Sequence, residues 1–302
     1  MSRVIAPGMG TVALVLTLAS CTAVTNVDVH YEQCVRPKNA YAETFDGTFG
    51  DLLDRCWTAQ NGSVTATSFA VENPAGADPG NDELFISPKN GEFWAASKAT
   101  EPPALLRRVS GDFLVVSVVE AVSTVNSDHC LSDEERAGIV IRREEPYAWA
   151  GLFVRPYFDP KSPMPRDQAC RDETPNPPPA RVTAESEGFG ARKAESNDYL
   201  EQALGVGVDA EAAVAVCRQN DLLIYFHRND ATPLAPATWK VFHRHAITTE
   251  DLDVGLTASG SHEAQPKEPS GMKGAFGWVV VDNPRVFSEG CEVALAGFKE
   301  PD

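Results

Sequence analysis

Ala137-Gly138-Ile139-Val140-Ile141-Arg142-Arg143 and Ala148-Trp149-Ala150-Gly151-Leu152-Phe153-Val154-Arg155-Pro156-Tyr157 are two runs of strand length separated by Glu144–Tyr147. Both are rich in β-branched and aromatic residues, the types that suit a pleated surface. On extended backbone, successive side chains point to opposite faces. One face of the second run carries Ala150, Leu152, Val154 and Pro156, as a sandwich core requires. The other carries Trp149, Gly151, Phe153, Arg155 and Tyr157. The short connection makes a hairpin of the two runs.

The same signature recurs outward in both directions. Toward the N-terminus it marks Thr67–Val71, Leu84–Ile86, Glu92–Ala96, Leu105–Val109 and Asp112–Val122. Toward the C-terminus it marks Leu204–Val208, Ala212–Arg218, Leu222–Arg228, Trp239–His245, Leu252–Ala258 and Phe276–Asp282. No window holds a helical apolar stripe over twelve residues, and the nearest helical candidate, Glu195–Leu204, is short. Strands in such number without intervening helices predict antiparallel sheets, packed as a sandwich or barrel. The segment 159–197, with Pro160, Pro163, Pro165, Pro175 and Pro177–Pro179, reads as a Pro-rich insertion between strands. Ser259–Gly274 reads as a second polar loop, and there is no internal repeat.

Composition narrows the function classes. The 302 residues are 43% hydrophobic, enough for a sizeable core. Acidic residues outnumber basic ones 43 to 26, for a net charge of −17, and no run of five Lys or Arg occurs. Counterion release onto phosphates needs such a patch, so the chain is not expected to bind nucleic acid.

The N-terminus carries an address. Arg3 precedes an apolar run, Val4–Leu18, interrupted by Pro7, Gly8 and Gly10. The run is too short to span a bilayer but suits a signal-peptide h-region. Leu18-Ala19-Ser20-Cys21 follows and resembles the bacterial lipobox. The resemblance implies cleavage before Cys21, lipid on its thiol and a partner in the bilayer. Thr22, rather than Asp, implies the outer membrane. The expected organisation is a signal peptide over 1–20, a lipidated tether over 21–44, a β-domain over 45–290 and a tail over 291–302.

With Cys21 lipidated, Cys34, Cys56, Cys130, Cys170, Cys217 and Cys291 remain, with no CxxC spacing. Export exposes them to an oxidising compartment, so disulfides are expected. Six cysteines allow fifteen pairings. Cys130 and Cys170 flank the hairpin and fall toward the same end. Cys34 with Cys291 would tie the ends of the domain together.

Several short segments occur in a suggestive order: Phe45-Asp46-Gly47, Trp57, Leu105-Leu106-Arg107-Arg108, Gly111-Asp112-Phe113, the two hairpin runs, Val216-Cys217-Arg218, Leu222–Arg228 with Trp239, and Val254-Gly255-Leu256-Thr257-Ala258 before a Phe276 strand. This order resembles the concanavalin A-like lectin/glucanase superfamily, in particular a bacterial family of unknown function similar to the C-terminal domain of some β-xylosidases. The resemblance covers Phe45 to Asn283 apart from the insertion. It implies an all-β, jelly-roll sandwich of two antiparallel sheets. The family's Ser-x-Asp-Gly-like turn is replaced by His227-Arg228-Asn229-Asp230-Ala231-Thr232, and no role is carried over from it.

Catalytic signatures are sparse. The glucanase branch carries Glu-x-Asp-x-x-Glu, which places two carboxylates on one strand face as a retaining glycosidase needs. That spacing does not occur here, and Glu250-Asp251-Leu252-Asp253 reads as a solvated turn. There is no Gly-x-Ser-x-Gly elbow, P-loop or Gly-x-Gly-x-x-Gly fingerprint. His243 and His245 share a strand face but lack an evident third ligand, and Asp78, Asn81, Asp82 and Glu83 read as a polar turn. No metal or cofactor is expected. Aromatic rings stack on sugars while Arg, Tyr and His supply hydrogen bonds. The candidate ligand-binding residues are therefore Trp149, Phe153, Arg155 and Tyr157, with Tyr225 and His227 from Leu222–Arg228. The expected function is non-catalytic recognition of carbohydrate or another envelope ligand. A glycoside-active enzyme with a different carboxylate arrangement and a purely structural envelope protein stand as alternatives.

Overall fold

The computed structural model describes residues 41–60, 68–73, 82–88, 102–123, 135–144, 147–156, 179–187, 189, 194–203, 209–228, 239–247, 251–260, 272–282, 290–299 and 301. In chain order the strands are β1 (Tyr41–Glu43), β2 (Thr58–Gln60), β3 (Phe69–Glu72), β4 (Glu83–Ile86), β5 (Ala104–Val109), β6 (Phe113–Ser123), β7 (Arg136–Arg143) and β8 (Ala148–Pro156). They continue with β9 (Pro179–Glu187), β10 (Ala194–Ala203), β11 (Asp209–Gln219), β12 (Leu222–Arg228), β13 (Lys240–Ala246), β14 (Leu252–Ser259) and β15 (Met272–Asp282). Two short helices, α1 (Phe49–Asp54) and α2 (Cys291–Ala296), complete the described elements.

The strands form two antiparallel sheets. One has the order β13-β12-β11-β6-β15-β4-β3, with β1 added against β15; the other has the order β10-β9-β8-β7-β14-β5-β2. Among the described strands the chain crosses between sheets at β1–β2, β2–β3, β4–β5, β5–β6, β6–β7, β10–β11, β13–β14 and β14–β15, so neighbours in sequence often contribute to opposite layers. The all-β sandwich of two antiparallel sheets expected from sequence is the architecture found. The expected β7–β8 hairpin forms, with Ala137 opposite Val154 and Arg143 opposite Ala148.

Period-two alternation decides what lies between the sheets. Ile139, Ile141, Leu152, Val154, Val254 and Leu256 face inward from the seven-stranded sheet. Val115, Val119, Val214, Val216, Phe276 and Val281 meet them from the other. Each large apolar side chain so enclosed contributes about 1.5–3 kcal/mol relative to exposure. Gly255 occupies a place where a Cβ would collide with the Leu105 carbonyl oxygen, so only glycine lets β14 approach β5 there.

Two segments differ from expectation. Strand β9 lies inside the segment read as a Pro-rich insertion. Its inward set, Ala180, Val182 and Ala184, is small, so the apolar alternation is faint in sequence. The helical candidate Glu195–Leu204 falls largely on strand β10, paired with β9. The expected strands Glu92–Ala96 and Leu204–Val208 lie outside the described residues. The segment read as a tail begins with α2, whose Cys291, Ala294 and Leu295 are buried on the outer face of the eight-stranded sheet.

A bulge makes that outer face possible. Phe276 pairs with Val119 but Val279 pairs with Ser117, so β15 carries one extra residue. The shift keeps Phe276 and Val279 in the core and sends Trp278 outward, where it stacks on Phe298 at 5.8 Å. The Ser117 hydroxyl donates to the Trp278 carbonyl at 2.7 Å, satisfying a group the ladder leaves unpaired.

A polar staple joins the sheets near β1. The buried Arg107 guanidinium of β5 lies 4.0 Å from the Tyr41 ring centroid. The Tyr41 hydroxyl donates to Glu43 at 2.7 Å, and Arg55 donates to the same carboxylate at 2.8 Å. Burial, and then the hydrogen bond to Glu43, push the Tyr41 phenol up to about 12 from 10.0. The folded state thus favours the neutral phenol. The stability this supplies is fully present below about pH 10 and is lost as pH rises toward 12. Urea midpoints across that window will fall less steeply for Tyr41→Phe than for the native chain. An identical slope would show that the Tyr41 phenol titrates alike in the folded and unfolded chain. Tyr225, also raised by burial, keeps its own alkaline dependence in both proteins.

Candidate functional site

The sequence-chosen aromatic face of β8 is the outer face of the seven-stranded sheet. Trp149 and Phe153 are fully buried, and Arg155 is nearly so. Their ring centroids lie 6.3 Å apart, and the Phe153 ring occupies the space that a Cβ at Gly151 would take. Arg155 sits opposite Arg181 of β9, and Arg136 of β7 comes alongside. Glu185 gathers this row. Its Oε1 accepts from Arg155 Nη1 at 2.7 Å and from the Thr183 hydroxyl at 3.3 Å, and its Oε2 accepts from Arg136 Nη1. The Arg136 guanidinium lies 5.5 Å from the Phe153 centroid and 5.9 Å from that of Trp149. With Glu185 taken up by two guanidinium groups, the arrangement holds charges and rings in place. A second pairing on the same face joins Asp253 to Arg108 at 3.0 Å and Arg142 at 3.1 Å, so the acidic Glu250–Asp253 segment ends in a charge pair rather than a free turn.

Tyr225 and His227 do not join that face. They pair with Val216 and Val214, which belong to the interior, and both are fully buried between the sheets. Of the six residues chosen from sequence, three share the outer face of one sheet and two point into the core from the other. Tyr157 lies outside the described residues. His243 packs against Tyr225 at 5.5 Å, and burial pushes its imidazole below the ordinary value. Among the described residues no group of three His, Cys, Asp or Glu side chains is placed to hold a metal. Asp78 and Asn81 lie outside them.

The opposite face of β12 turns away from the core instead. Ile224 and Phe226 point outward beneath α2, and a cleft of about 350 Å³ opens there. Phe226 of β12 and Val241 of β13 form its floor, and Trp239, just before β13, forms one side. Leu295 and Ala296 of α2 form the other. Arg244 and Glu292 close the rim with an ion pair of 2.8 Å, their side chains 47% and 64% exposed. The volume falls at the small end of the range of ligand pockets.

A disulfide fixes the α2 wall. Cys217 of β11 bonds Cys291, the first residue of α2, with Cα atoms 5.9 Å apart. This corrects the expected Cys34–Cys291 pairing: α2 folds back over β11, and Cys217 points outward beneath it. Cys56 is also disulfide-bonded. Cys21, Cys34, Cys130 and Cys170 lie outside the described residues. Gly290, at φ +96°, supplies the left-handed turn that leads into the helix.

Sequence reading passed over this cleft. Trp239 read as a strand residue and Glu292 as part of a tail. The available signal was the outward set Ile224 and Phe226, too apolar for a solvated strand face.

No protein-family profile matches the chain, and no curated protein does. Solved structures do resemble it. A xyloglucan-locus GH43B protein of Bacteroides ovatus aligns at 12% identity and TM-score 0.47 over 80% of this chain and 39% of that one. Basic winged bean lectin, solved with Tn-antigen, aligns at 8% and 0.43 over 80% of this chain and 97% of that one. A functionally unknown protein from Saccharomyces cerevisiae aligns at 13% and 0.41, over 74% and 95%. At these values the likeness carries neither an activity nor a ligand to this chain.

Proposed function

We propose that this chain is a bacterial lipoprotein, anchored through Cys21 in the outer membrane, whose β-sandwich recognises carbohydrate or another envelope ligand without turning it over. The observation that carries the reading is the open cleft beside α2, where an aromatic wall meets an exposed Arg–Glu pair. The buried Arg136–Glu185–Arg155 face supports the scaffold beneath. The lipobox-like Leu18–Cys21 supports anchoring, and the net charge of −17 suits a soluble surface that leaves membrane contact to the acyl chains.

The test uses the full chain in a detergent without a sugar head group. A glycan array should give saturable binding, and the bound polysaccharide should release no reducing ends over hours. A blank array contradicts carbohydrate recognition, and steady reducing-end release contradicts the non-catalytic half of the reading. Growth with a clickable fatty acid should label the native chain and not Cys21→Ser. Equal labelling would sink the anchor.

A further inference from the structure

The rim and walls of the cleft select among carbohydrates. We infer that it takes one neutral hexopyranose, its apolar ring face against Trp239 and two adjacent hydroxyls bridging Arg244 and Glu292. This inference rests on the reading of the cleft as a carbohydrate site and names its ligand class.

The argument begins with charge. Arg244 and Glu292 already neutralise each other at 2.8 Å. A carboxylate ligand must displace Glu292 from Arg244 and leave an anion beside it. It must also approach a protein of net charge −17, whose field repels it. A cationic ligand must displace Arg244. A neutral diol does neither, because one hydroxyl accepts from the guanidinium while its neighbour donates to the carboxylate. The pair is exposed, so opening it slightly to admit hydroxyls costs little.

Shape supplies the second half. Trp239 is partly exposed, whereas Phe226 and Leu295 beneath and opposite are buried. A partly exposed aromatic ring therefore lines the cleft over an apolar floor. A pyranose has one C–H-rich face and an equatorial edge of hydroxyls, which matches a ring on one side and an Arg–Glu pair on the other. The Cys217–Cys291 link and the Trp278–Phe298 stack hold the α2 wall before any ligand arrives, which limits the ordering cost of binding.

The test is calorimetric titration of the full chain with methyl glucoside, methyl galactoside and methyl mannoside, and with the matching glucuronide and galacturonide. At least one neutral glycoside should saturate, with its uronide at least about tenfold weaker. Trp239→Ala, Arg244→Ala and Glu292→Gln should each weaken the neutral sugar about tenfold, at unchanged melting temperature for the two exposed rim positions. A uronide that binds tighter, or a Glu292→Gln variant that binds the neutral sugar as the native chain does, overturns the ligand class and leaves carbohydrate recognition standing. No binding of any sugar, here or on the array, overturns both.

Discussion

Glu185→Gln should unfold at a markedly lower urea concentration, with about 3–5 kcal/mol of stability lost. The substitution keeps the side chain's size and removes its charge. Arg136, Arg155 and Glu185 are each almost wholly enclosed, and both guanidinium groups donate to that carboxylate. Breaking a buried ion group by removing one member leaves charge without its counter-charge, and costs far more than the intact group is worth. The same reasoning gives a contrasting outcome for Arg136→Met/Arg155→Leu/Glu185→Met. An apolar replacement of similar volume removes these three charges together, and should be neutral or mildly stabilising. Denaturant midpoints at constant slope measure both variants. If Glu185→Gln costs less than about 1 kcal/mol, the carboxylate is not the counter-charge that the geometry makes it.

The second large effect is expected at the disulfide. Cys217 and Cys291 are 74 residues apart in sequence. Closing a loop of that length restricts the unfolded chain by about 4 kcal/mol in the chain-entropy account. Cys217→Ala/Cys291→Ala should lose about that much. It should also loosen α2, and so weaken ligand binding well below the unfolding transition. Both sulfurs are buried, so mild reductant should leave the native link intact unless urea is present. An unchanged urea midpoint in the double variant would contradict the role given to this link.

Much of the fold was legible because alternation is a local signal. Ile139-Val140-Ile141 and Leu152-Phe153-Val154 announce strands, and a short polar connection makes them a hairpin. Strand β9 was hidden by size: Ala180 and Ala184 bury as fully as Val182, but weigh little in an apolar count. Glu195–Leu204 shows the converse error, a polar segment whose spacing allowed a helix while pairing with β9 made it a strand.

The candidate site was harder to read because its parts meet only through tertiary register. Alternation correctly divided Leu223, Tyr225 and His227 from Ile224 and Phe226. It could not say which set faced the core. Polarity suggested that His227 looked outward, whereas the sheet turns it inward and leaves Phe226 for the cleft. The α2 wall depends on which of fifteen cysteine pairings forms. The bulge that turns Trp278 outward is likewise set by partner strands rather than by its own sequence.

The central claim is that an accessible cleft beside α2 recognises carbohydrate. Its most direct test is calorimetric titration of the native chain and Trp239→Ala, side by side, with the strongest oligosaccharide from the array. The account predicts saturable heat from the native chain and at least a tenfold loss in the variant, about 1.4 kcal/mol, with the circular dichroism of the two indistinguishable. Equal affinity in two well-folded proteins would contradict it and place the binding elsewhere on the sandwich.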